Sequence, residues 1–306
     1  MLPRLVFVHG IGGLRNPGSE LTQWVEALSG GMRQAGHSRI AGSLQATFVD
    51  YSDLFLPDGA QGKDEAPPAD EIVFLTDLVG ALLTNLAKDA VEESDLHEVE
   101  VARSQLGQND PQGFGEPVRL LIAALTAVLQ IPGIRQTAQW ASARSLLLSL
   151  AQVARYLRRG EPENGHTIDQ RIRARVRSAL HADQPAIIVA HSLGSVVAFE
   201  ALHDLEVRVP LLVTLGSPLA MATLVLDRVE PKPPMTPSSV ERWLNFWDRD
   251  DVIVARPRLE RHIRPNALGV RPVSSRVDSD GLWVHSAAKY LAQAAVAGPI
   301  AEALRE

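Results

Sequence analysis

Short runs of consecutive apolar residues alternate along this chain with longer segments in which apolar residues recur every three or four positions. A short apolar run is typical of a strand buried on both faces of a parallel sheet, and the longer spacing is typical of a helix with one buried face. Segment 21–35 has the helical spacing and lies between the first two runs. This order predicts an α/β fold with a mostly parallel central sheet flanked by helices. The predicted strands occupy residues 5–8, 46–51, 186–189, 210–215 and 240–247.

The alternation of strand and helix patterns stops between residues 67 and 160. Helical spacing runs through 72–86 and 140–159, and residues 120–134 carry no charge. The charge-free run is shorter than the stretch of about 20 apolar residues that spans a bilayer. We therefore predict a core formed by residues 1–66 and 161–306, with residues 67–160 as a helical insertion that acts as a cap or lid. The insertion could complete the core over the sheet's edge, bind an acyl chain, or contact a membrane surface or partner.

The C-terminal part of the chain contains a loop pattern followed by a helical pattern. Residues 256–279 are rich in Arg, Pro and Ser and lack a clear period, which predicts a long loop. Helical spacing returns at 286–304 and predicts a closing helix that is interrupted near Gly298 and Pro299.

Composition and charge exclude several classes of function for this protein. The chain has 306 residues, of which 45% are hydrophobic and 22% charged, as in ordinary globular proteins. A formal net charge of -6, with both signs spread along the chain, argues against a nucleic acid partner. The absence of cysteine excludes disulfides, thiol catalysis and cysteine-ligated zinc, and is typical of a reducing compartment. The first strand pattern begins at residue 5, without the apolar region of a signal peptide, so we predict a cytoplasmic protein.

Residues 186–200 combine a buried-strand pattern, a serine between small residues and a helical pattern. The central residues read Ala190-His191-Ser192-Leu193-Gly194. A serine on a sharp strand-to-helix turn is a nucleophile elbow, and its strained backbone needs small neighbours, which Ala190 and Gly194 supply. Ala190 stands where the more usual motif has a glycine. The stretch therefore predicts Ser192 as a nucleophile.

A serine nucleophile needs an imidazole that takes its proton and a carboxylate that holds the imidazole. After a nucleophile elbow, the acid and then the histidine are expected later in the chain. Asp251 lies 59 residues after Ser192 at the end of a predicted strand, and His285 lies 34 residues further on, before the closing helix. These contexts predict Asp251 as the acid and His285 as the base.

Each of these assignments has an alternative. Asp248 and Asp250 are close enough to replace Asp251 as the acid. His262 is the alternative base, but it lies among arginines, where an imidazole gains no carboxylate. His191 directly precedes the nucleophile, so its side chain is expected to point elsewhere and to have a structural role.

The first strand pattern ends in the glycine-rich loop His9-Gly10-Ile11-Gly12-Gly13. Glycines let backbone N–H groups face a cleft because no side chain blocks the approach. The N–H groups of Ile11 and Leu193 are predicted to form an oxyanion hole, which stabilises negative charge on a substrate oxygen. His9 is predicted to shape the loop by hydrogen bonds. A plain strand-to-loop turn is the alternative interpretation of this loop.

Four features together resemble the α/β-hydrolase superfamily: the loop at 9–13, the elbow at 190–194, the context of Asp251, and His285. Within this superfamily the motifs are similar to those of small bacterial lipases and of the lipase-like group that includes GPI-inositol deacylase homologues. The resemblance covers the sheet-forming parts of the chain and leaves the insertion unmatched. It implies an α/β-hydrolase fold and a serine esterase or lipase with oxyanion donors at Ile11 and Leu193. Small lipases lack a large helical cap, so the substrate class does not carry over.

The sequence therefore predicts a serine hydrolase that cleaves carboxylic esters of a small molecule or lipid through an acyl-Ser192 intermediate, with no metal or organic cofactor. An acyltransferase or thioesterase on the same three residues is the alternative within enzymes, because the choice depends on how well water is excluded. A non-catalytic module that binds a partner or membrane through the insertion is the alternative of another class.

Overall fold

Six strands form one sheet in which every described pair of neighbours is parallel. The computed structural model of the chain describes residues 3–10, 12, 16–55, 68–89, 93–106, 116–130, 142–221, 225–249, 251, 253–254, 258–279 and 285–305. The order across the sheet is β2-β1-β3-β4-β5-β6. The predicted α/β class with a parallel sheet is confirmed. The strands are β1 (Arg4–Val8), β2 (Ala46–Val49), β3 (Ala186–His191), β4 (Leu211–Leu215), β5 (Trp243–Asp248) and β6 (Pro272–Val277).

Helices connect the strands and cover both faces of the sheet. Short 3-10 turns lie at Ser52–Phe55 and Leu259–Arg261. The helices are α1 (Pro17–Gln34), α2 (Ser38–Ala41), α3 (Ala69–Asp89), α4 (Glu93–Leu106), α5 (Glu116–Val128), α6 (Ala143–Arg158), α7 (Ile168–Ala179), α8 (Leu193–His203), α9 (Ala287–Leu291) and α10 (Ala294–Ala303).

Strands β1 and β3 are neighbours in the sheet, and the chain connections change direction between them. All six residues of β3 are buried, and its run of isoleucine and valine suits a strand covered on both faces. β1 pairs with β2 on one side and with β3 on the other, so the direction of the chain connections reverses there. In open α/β sheets such a reversal leaves a crevice at the carboxyl ends of the strands, where ligands bind. The residues that follow β1 and β3, beginning with His9 and Ser192, therefore lie at this crevice.

Alternate side chains of the strands pack into two separate apolar layers, as the period of two along a strand requires. Leu5 and Phe7 of β1 belong to the layer formed with α1, α9 and α10. Val6 and Val8 belong to the layer formed with α3 to α8. The core therefore lies on both faces of the sheet.

Helices α3 to α6, which we call the helical segment, lie between β2 and α7 in the chain. Their buried side chains belong to the same apolar layer as Val6 of the sheet. Directly after α6, Arg159 donates hydrogen bonds to Glu200 of α8 at 2.7 and 2.9 Å and to Asp169 at 2.9 Å. Apolar packing and buried ion pairs thus join the helical segment to the sheet. Within the described ranges, no helix combines the length and the hydropathy needed to cross a bilayer.

Strand β6 shows that the predicted loop over residues 256–279 was wrong in part. β6 pairs in parallel with β5, with Pro272 opposite Trp243 and Val277 opposite Asp248. Along β6 only Pro272 and Val277, at its two ends, are buried. An edge strand can begin with proline and needs no continuous apolar run. The hydrophobic pattern therefore carried no signal for β6.

The closing helix is interrupted at a different point from the predicted one. The break lies at Gln293, whose backbone is extended with φ -75° and ψ 130°, and not near Gly298 and Pro299. Pro299 lies inside α10. Proline removes one helical N–H and its ring crowds the preceding turn. The buried side chains of Val296 and Ile300 pack α10 into its apolar layer, and this packing outweighs the local cost.

Candidate active site

Ser192 occupies the sharp turn between β3 and α8. Its backbone has φ 53° and ψ -128°, a combination that residues with a side chain rarely adopt. Gly194, in the first turn of α8, lies against the carbonyl groups of Val8 and His9, and a Cβ there would overlap both. Close packing between the end of β1 and the start of α8 therefore holds the strained turn, which presents the Ser192 hydroxyl at the carboxyl edge of the sheet.

Hydrogen bonds from the end of β4 fix the same turn. The N–H of Ser192 donates to the carbonyl of Leu215 at 2.9 Å. The Ser192 carbonyl accepts from the hydroxyl of Ser195 at 2.6 Å, and this hydroxyl lies 2.7 Å from Ser217 Oγ. Ser217 Oγ also accepts from the N–H of Leu219 at 3.3 Å. The turn is thus tied to β4 through both its N–H and its carbonyl.

His285 joins Ser192 to a buried carboxylate. Its Nε2 lies 2.9 Å from Ser192 Oγ, and its Nδ1 lies 2.8 Å from both oxygens of Asp251. The tautomer protonated on Nδ1 donates to Asp251 and leaves Nε2 to accept from the serine hydroxyl. All three residues are buried, with exposures of 1% for Ser192, 3% for Asp251 and 2% for His285. The three residues predicted from their order in the chain therefore form one hydrogen-bonded set.

Gly216 leaves room for this set at the end of β4. Its φ of 54° lies in the left-handed region that favours glycine. A Cβ at this position would lie 2.7 Å from Asp251 Oδ2 and 3.2 Å from His285 Nδ1. Any side chain at residue 216 would therefore displace the carboxylate or the imidazole.

Asp248, one of the two alternative acids, does not take the place of Asp251 in this set. Asp248, the last residue of β5, accepts from the N–H of Ser279 at 2.5 Å and so holds the segment that follows β6. Its own N–H donates to the hydroxyl of Tyr290 at 3.0 Å. Asp250 lies outside the described residues. The carboxylate in contact with the imidazole is that of Asp251.

Two other histidines, His262 and His191, differ in their distance from the hydrogen-bonded set. His262 directly follows the 3-10 turn after β5, and the imidazole that contacts Ser192 belongs to His285. His191 was expected to point elsewhere, but its ring centroid lies 4.7 Å from that of His285 and 6.1 Å from that of Trp24. The expected direction of the His191 side chain was therefore wrong, because its ring packs against the imidazole of the hydrogen-bonded set, and its structural role stays a prediction.

The loop after β1 is shaped by His9, as expected. Its Nδ1 lies 2.6 Å from the Gly10 carbonyl, and its Nε2 accepts from the N–H of Tyr51 at 3.1 Å. The hydroxyl of Tyr51 donates to the His9 carbonyl. Nε2 is also 3.1 Å from Asp50. Burial raises the pKa of the Asp50 carboxyl, but the contact with His9 and the hydrogen bond from the Ser52 N–H together outweigh burial and hold this pKa well below its usual range.

Of the two N–H groups predicted to bind an oxyanion, the structure describes that of Leu193. Leu193 is the first residue of α8, and the first N–H groups of a helix have no partner within the helix. The helix dipole adds partial positive charge at this end. Ile11 lies outside the described residues.

Gln152 of α6 contacts the glycine-rich loop. Its side-chain amide accepts from the N–H of Gly12 at 2.9 Å and donates to the carbonyl of Gly12 at 2.5 Å. A side chain of the helical segment thus holds both polar groups of a residue that lies 140 positions earlier in the chain. A single glutamine in a helical pattern has no signature of such a contact, and the sequence analysis missed it.

Tyr290 of α9 is a second site residue that the sequence analysis missed. Its buried hydroxyl donates to Asp251 Oδ2 at 2.7 Å. An aromatic residue in a helical pattern signals burial, which is true of Tyr290, but carries no information about its polar partner.

This arrangement suits nucleophilic chemistry. A hydroxyl beside an imidazole acceptor can lose its proton while it attacks an electrophile, and a carboxylate on the other ring nitrogen stabilises the resulting imidazolium. Within the part of the chain that is described, no cluster of three or more His, Asp or Glu side chains could hold a metal ion. No protein-family model, curated protein or solved structure matches this chain.

Proposed function

We propose that this chain is a serine hydrolase of the α/β-hydrolase type that cleaves carboxylic esters through an acyl-Ser192 intermediate. The observation that carries the proposal is one imidazole in contact with both a hydroxyl and a carboxylate. His285 lies 2.9 Å from Ser192 Oγ and 2.8 Å from Asp251. The strained backbone at Ser192 supports the proposal, because strain of this kind collects at functional sites.

In the acylation step, Ser192 Oγ attacks the carbonyl carbon of the ester while His285 Nε2 takes the hydroxyl proton. Asp251 holds the imidazole in its Nδ1-protonated form and stabilises the imidazolium. The N–H groups of Leu193 and Ile11 donate to the oxygen of the tetrahedral intermediate. His285 then gives the proton to the departing alcohol, and the acyl-Ser192 ester remains.

Water completes the cycle through the same groups. His285 takes a proton from water, the water oxygen attacks the acyl carbonyl, and Ser192 regains a proton as the carboxylic acid leaves. An alcohol, thiol or amine in place of water would make the chain an acyltransferase, and a thioester substrate would make it a thioesterase.

The substrate must reach a covered nucleophile. Ser192 is 1% exposed, so the proposal includes a local opening that admits the ester. We assign the helical segment as the cap or lid of the hydrolase core, because Gln152 of this segment contacts the glycine-rich loop. The cytoplasmic location, and a small-molecule or lipid ester as substrate, stay predictions.

Covalent labelling with a fluorophosphonate probe tests the proposal. The probe is expected to form an adduct on Ser192 of the folded protein and to leave the Ser192→Ala variant unlabelled. Ser29→Ala is a matched control, because it removes a buried α1 hydroxyl that donates to the Ala41 carbonyl at 3.1 Å. This control is expected to label like the wild type. Folded wild-type protein without a Ser192 adduct would instead indicate a non-catalytic module.

A series of p-nitrophenyl esters of increasing acyl length, measured with and without liposomes, then identifies the substrate class. Hydrolysis that disappears in Ser192→Ala supports an esterase. A preference for long chains that needs liposomes indicates a lipid surface. Faster p-nitrophenol release after addition of an alcohol or thiol indicates acyl transfer.

A further inference from the structure

Tyr290 links the carboxylate of the candidate site to the strand that precedes it. The side chain is fully buried, and its hydroxyl donates to Asp251 Oδ2 at 2.7 Å. The same hydroxyl oxygen accepts from the backbone N–H of Asp248 at 3.0 Å. Because a hydroxyl has one hydrogen and that hydrogen is directed to Asp251, the two bonds are compatible. Tyr290 therefore spans the turn between the end of β5 and the carboxylate.

Among the described residues, three groups donate to the Asp251 carboxylate. The Nδ1 of His285 lies 2.8 Å from both oxygens, the N–H of Ile253 donates to Oδ1 at 3.1 Å, and Tyr290 donates to Oδ2. Each hydrogen bond stabilises part of the negative charge. Loss of the tyrosine hydroxyl would leave more of this charge to act on the imidazole, and a stronger negative charge favours the imidazolium.

We infer that Tyr290 is a positioning residue that fixes Asp251 and sets the pH below which His285 can no longer act as a base. The inference rests on the proposed function, since it requires His285 to be the base. With Tyr290 in place, the hydrogen bond from its hydroxyl stabilises part of the negative charge on Asp251. The imidazole is then held less strongly in its protonated form, and the reaction continues to lower pH.

The groups that face the imidazole have contacts of their own, and the Asp248 N–H, which donates to the tyrosine hydroxyl, loses its acceptor in Tyr290→Phe. The ring of His191 lies 4.7 Å from that of His285, and Ser192 Oγ lies 2.9 Å from Nε2. Asp248 keeps its hydrogen bond from the N–H of Ser279. A change in the pH profile would therefore report on the bond between the tyrosine and Asp251.

The Tyr290 hydroxyl stays protonated throughout the relevant pH range. Burial, together with the charge of Asp251, raises the pKa of Tyr290 well above its usual value. Histidine titrates far below that value. Ionisation of Tyr290 itself therefore does not contribute to the acid side of the profile.

Tyr156 offers a matched control. It is also fully buried, and its hydroxyl donates to the buried Glu200 at 2.5 Å. Glu200 accepts from Arg159 as well, in a cluster that joins α6 to α8. Tyr156→Phe and Tyr290→Phe thus both remove a hydroxyl that donates to a buried carboxylate and keep the aromatic ring, and Tyr290→Phe also removes the acceptor of the Asp248 N–H.

The experiment compares the pH profiles of kcat/KM for p-nitrophenyl ester hydrolysis by the wild type, Tyr290→Phe and Tyr156→Phe. For Tyr290→Phe, the acid limb is expected at higher pH by on the order of half a pH unit. The limb of Tyr156→Phe is expected to coincide with that of the wild type. An unshifted limb for Tyr290→Phe, with or without a lower kcat, or an equal shift in both variants, overturns the inference.

A second variant covers the case in which Tyr290→Phe does not fold. Site-specific 3-fluorotyrosine at position 290 keeps the ring and provides a more acidic hydroxyl, which donates more strongly to Asp251. The acid limb is then expected at lower pH than in the wild type, and an unchanged limb overturns the inference.

The labelling rate of Ser192 against pH separates the two proposals. Wild-type protein that does not label overturns the proposed function. Protein that labels, with an acid limb that does not respond to the changes at Tyr290, overturns only the role of Tyr290.

Discussion

The carboxyl edge of the sheet and the helical segment use their buried polar groups differently. At the edge, Ser192, Asp251 and His285 follow three different strands, and their side chains contact one another. At the end of the helical segment, Arg159 binds Glu200 of α8 through two hydrogen bonds. The first set joins a hydroxyl, an imidazole and a carboxylate, and the second attaches helices to the core.

The difference follows from the geometry of the two regions. Parallel strands bring their carboxyl ends to one edge, so residues that are distant in the chain meet there. Helices that pack by an apolar face share no such edge, and their polar contacts fix their orientation. Substitutions at the carboxyl edge of the sheet should therefore affect ester hydrolysis most. Substitutions in the contact between Arg159 and Glu200 should affect the free energy of unfolding. Gln152, which reaches from the helical segment to Gly12, should affect activity to a smaller extent.

Removal of the His285 imidazole is expected to have the largest effect. His285→Ala should lower kcat/KM for ester hydrolysis on the order of 10^3-fold or more, because the proton acceptor of Ser192 is lost. Steady-state kinetics with a p-nitrophenyl ester measure this loss. His262→Ala is the control and should keep most of the wild-type activity. A severe loss in the control with a mild loss in His285→Ala would assign the base to His262.

Replacement of Arg159 is expected to lower the free energy of unfolding. Arg159→Met leaves the fully buried Glu200 without its main partner, and an uncompensated buried charge costs about 3 to 5 kcal/mol. Urea unfolding followed by circular dichroism measures the change. Arg208→Met is the control, because Arg208 and Glu241 are 56% and 40% exposed, and its cost should be below about 1 kcal/mol. Equal costs would contradict the attachment role.

Replacement of Gln152 is expected to have the smallest effect. Gln152→Ala removes both hydrogen bonds to Gly12, so the loop in which we propose an oxyanion donor is held less firmly, and kcat should fall about tenfold with little change in KM. Leu148→Ala is the control, because Leu148 is exposed on the same helix. A rise in kcat for Gln152→Ala would indicate that Gln152 restrains the opening of a lid.

The strands differ in how readily the sequence predicts them. β1, β3 and β4 are visible as apolar runs because both of their faces are buried. β6 lies at the edge of the sheet, and its mixed sequence resembles a loop.

The sequence also could not decide between the two candidate acids Asp248 and Asp251. Asp248 and Asp251 belong to one turn, in which the N–H of Asp251 donates to the Asp248 carbonyl at 3.2 Å. The backbone conformation of this turn determines which of the two carboxylates contacts His285, and the sequence does not show that conformation.

The sequence by itself determined the parallel strands other than β6, the turn at Ser192 and the order in which an acid and a histidine follow it. These features depend on local pattern and on small residues at set positions. Only the tertiary structure decided that Tyr290 donates to Asp251 and that Gln152 holds Gly12. Such contacts arise when sheet pairing and helix packing bring distant segments together, and the residues involved have no local signature before that happens.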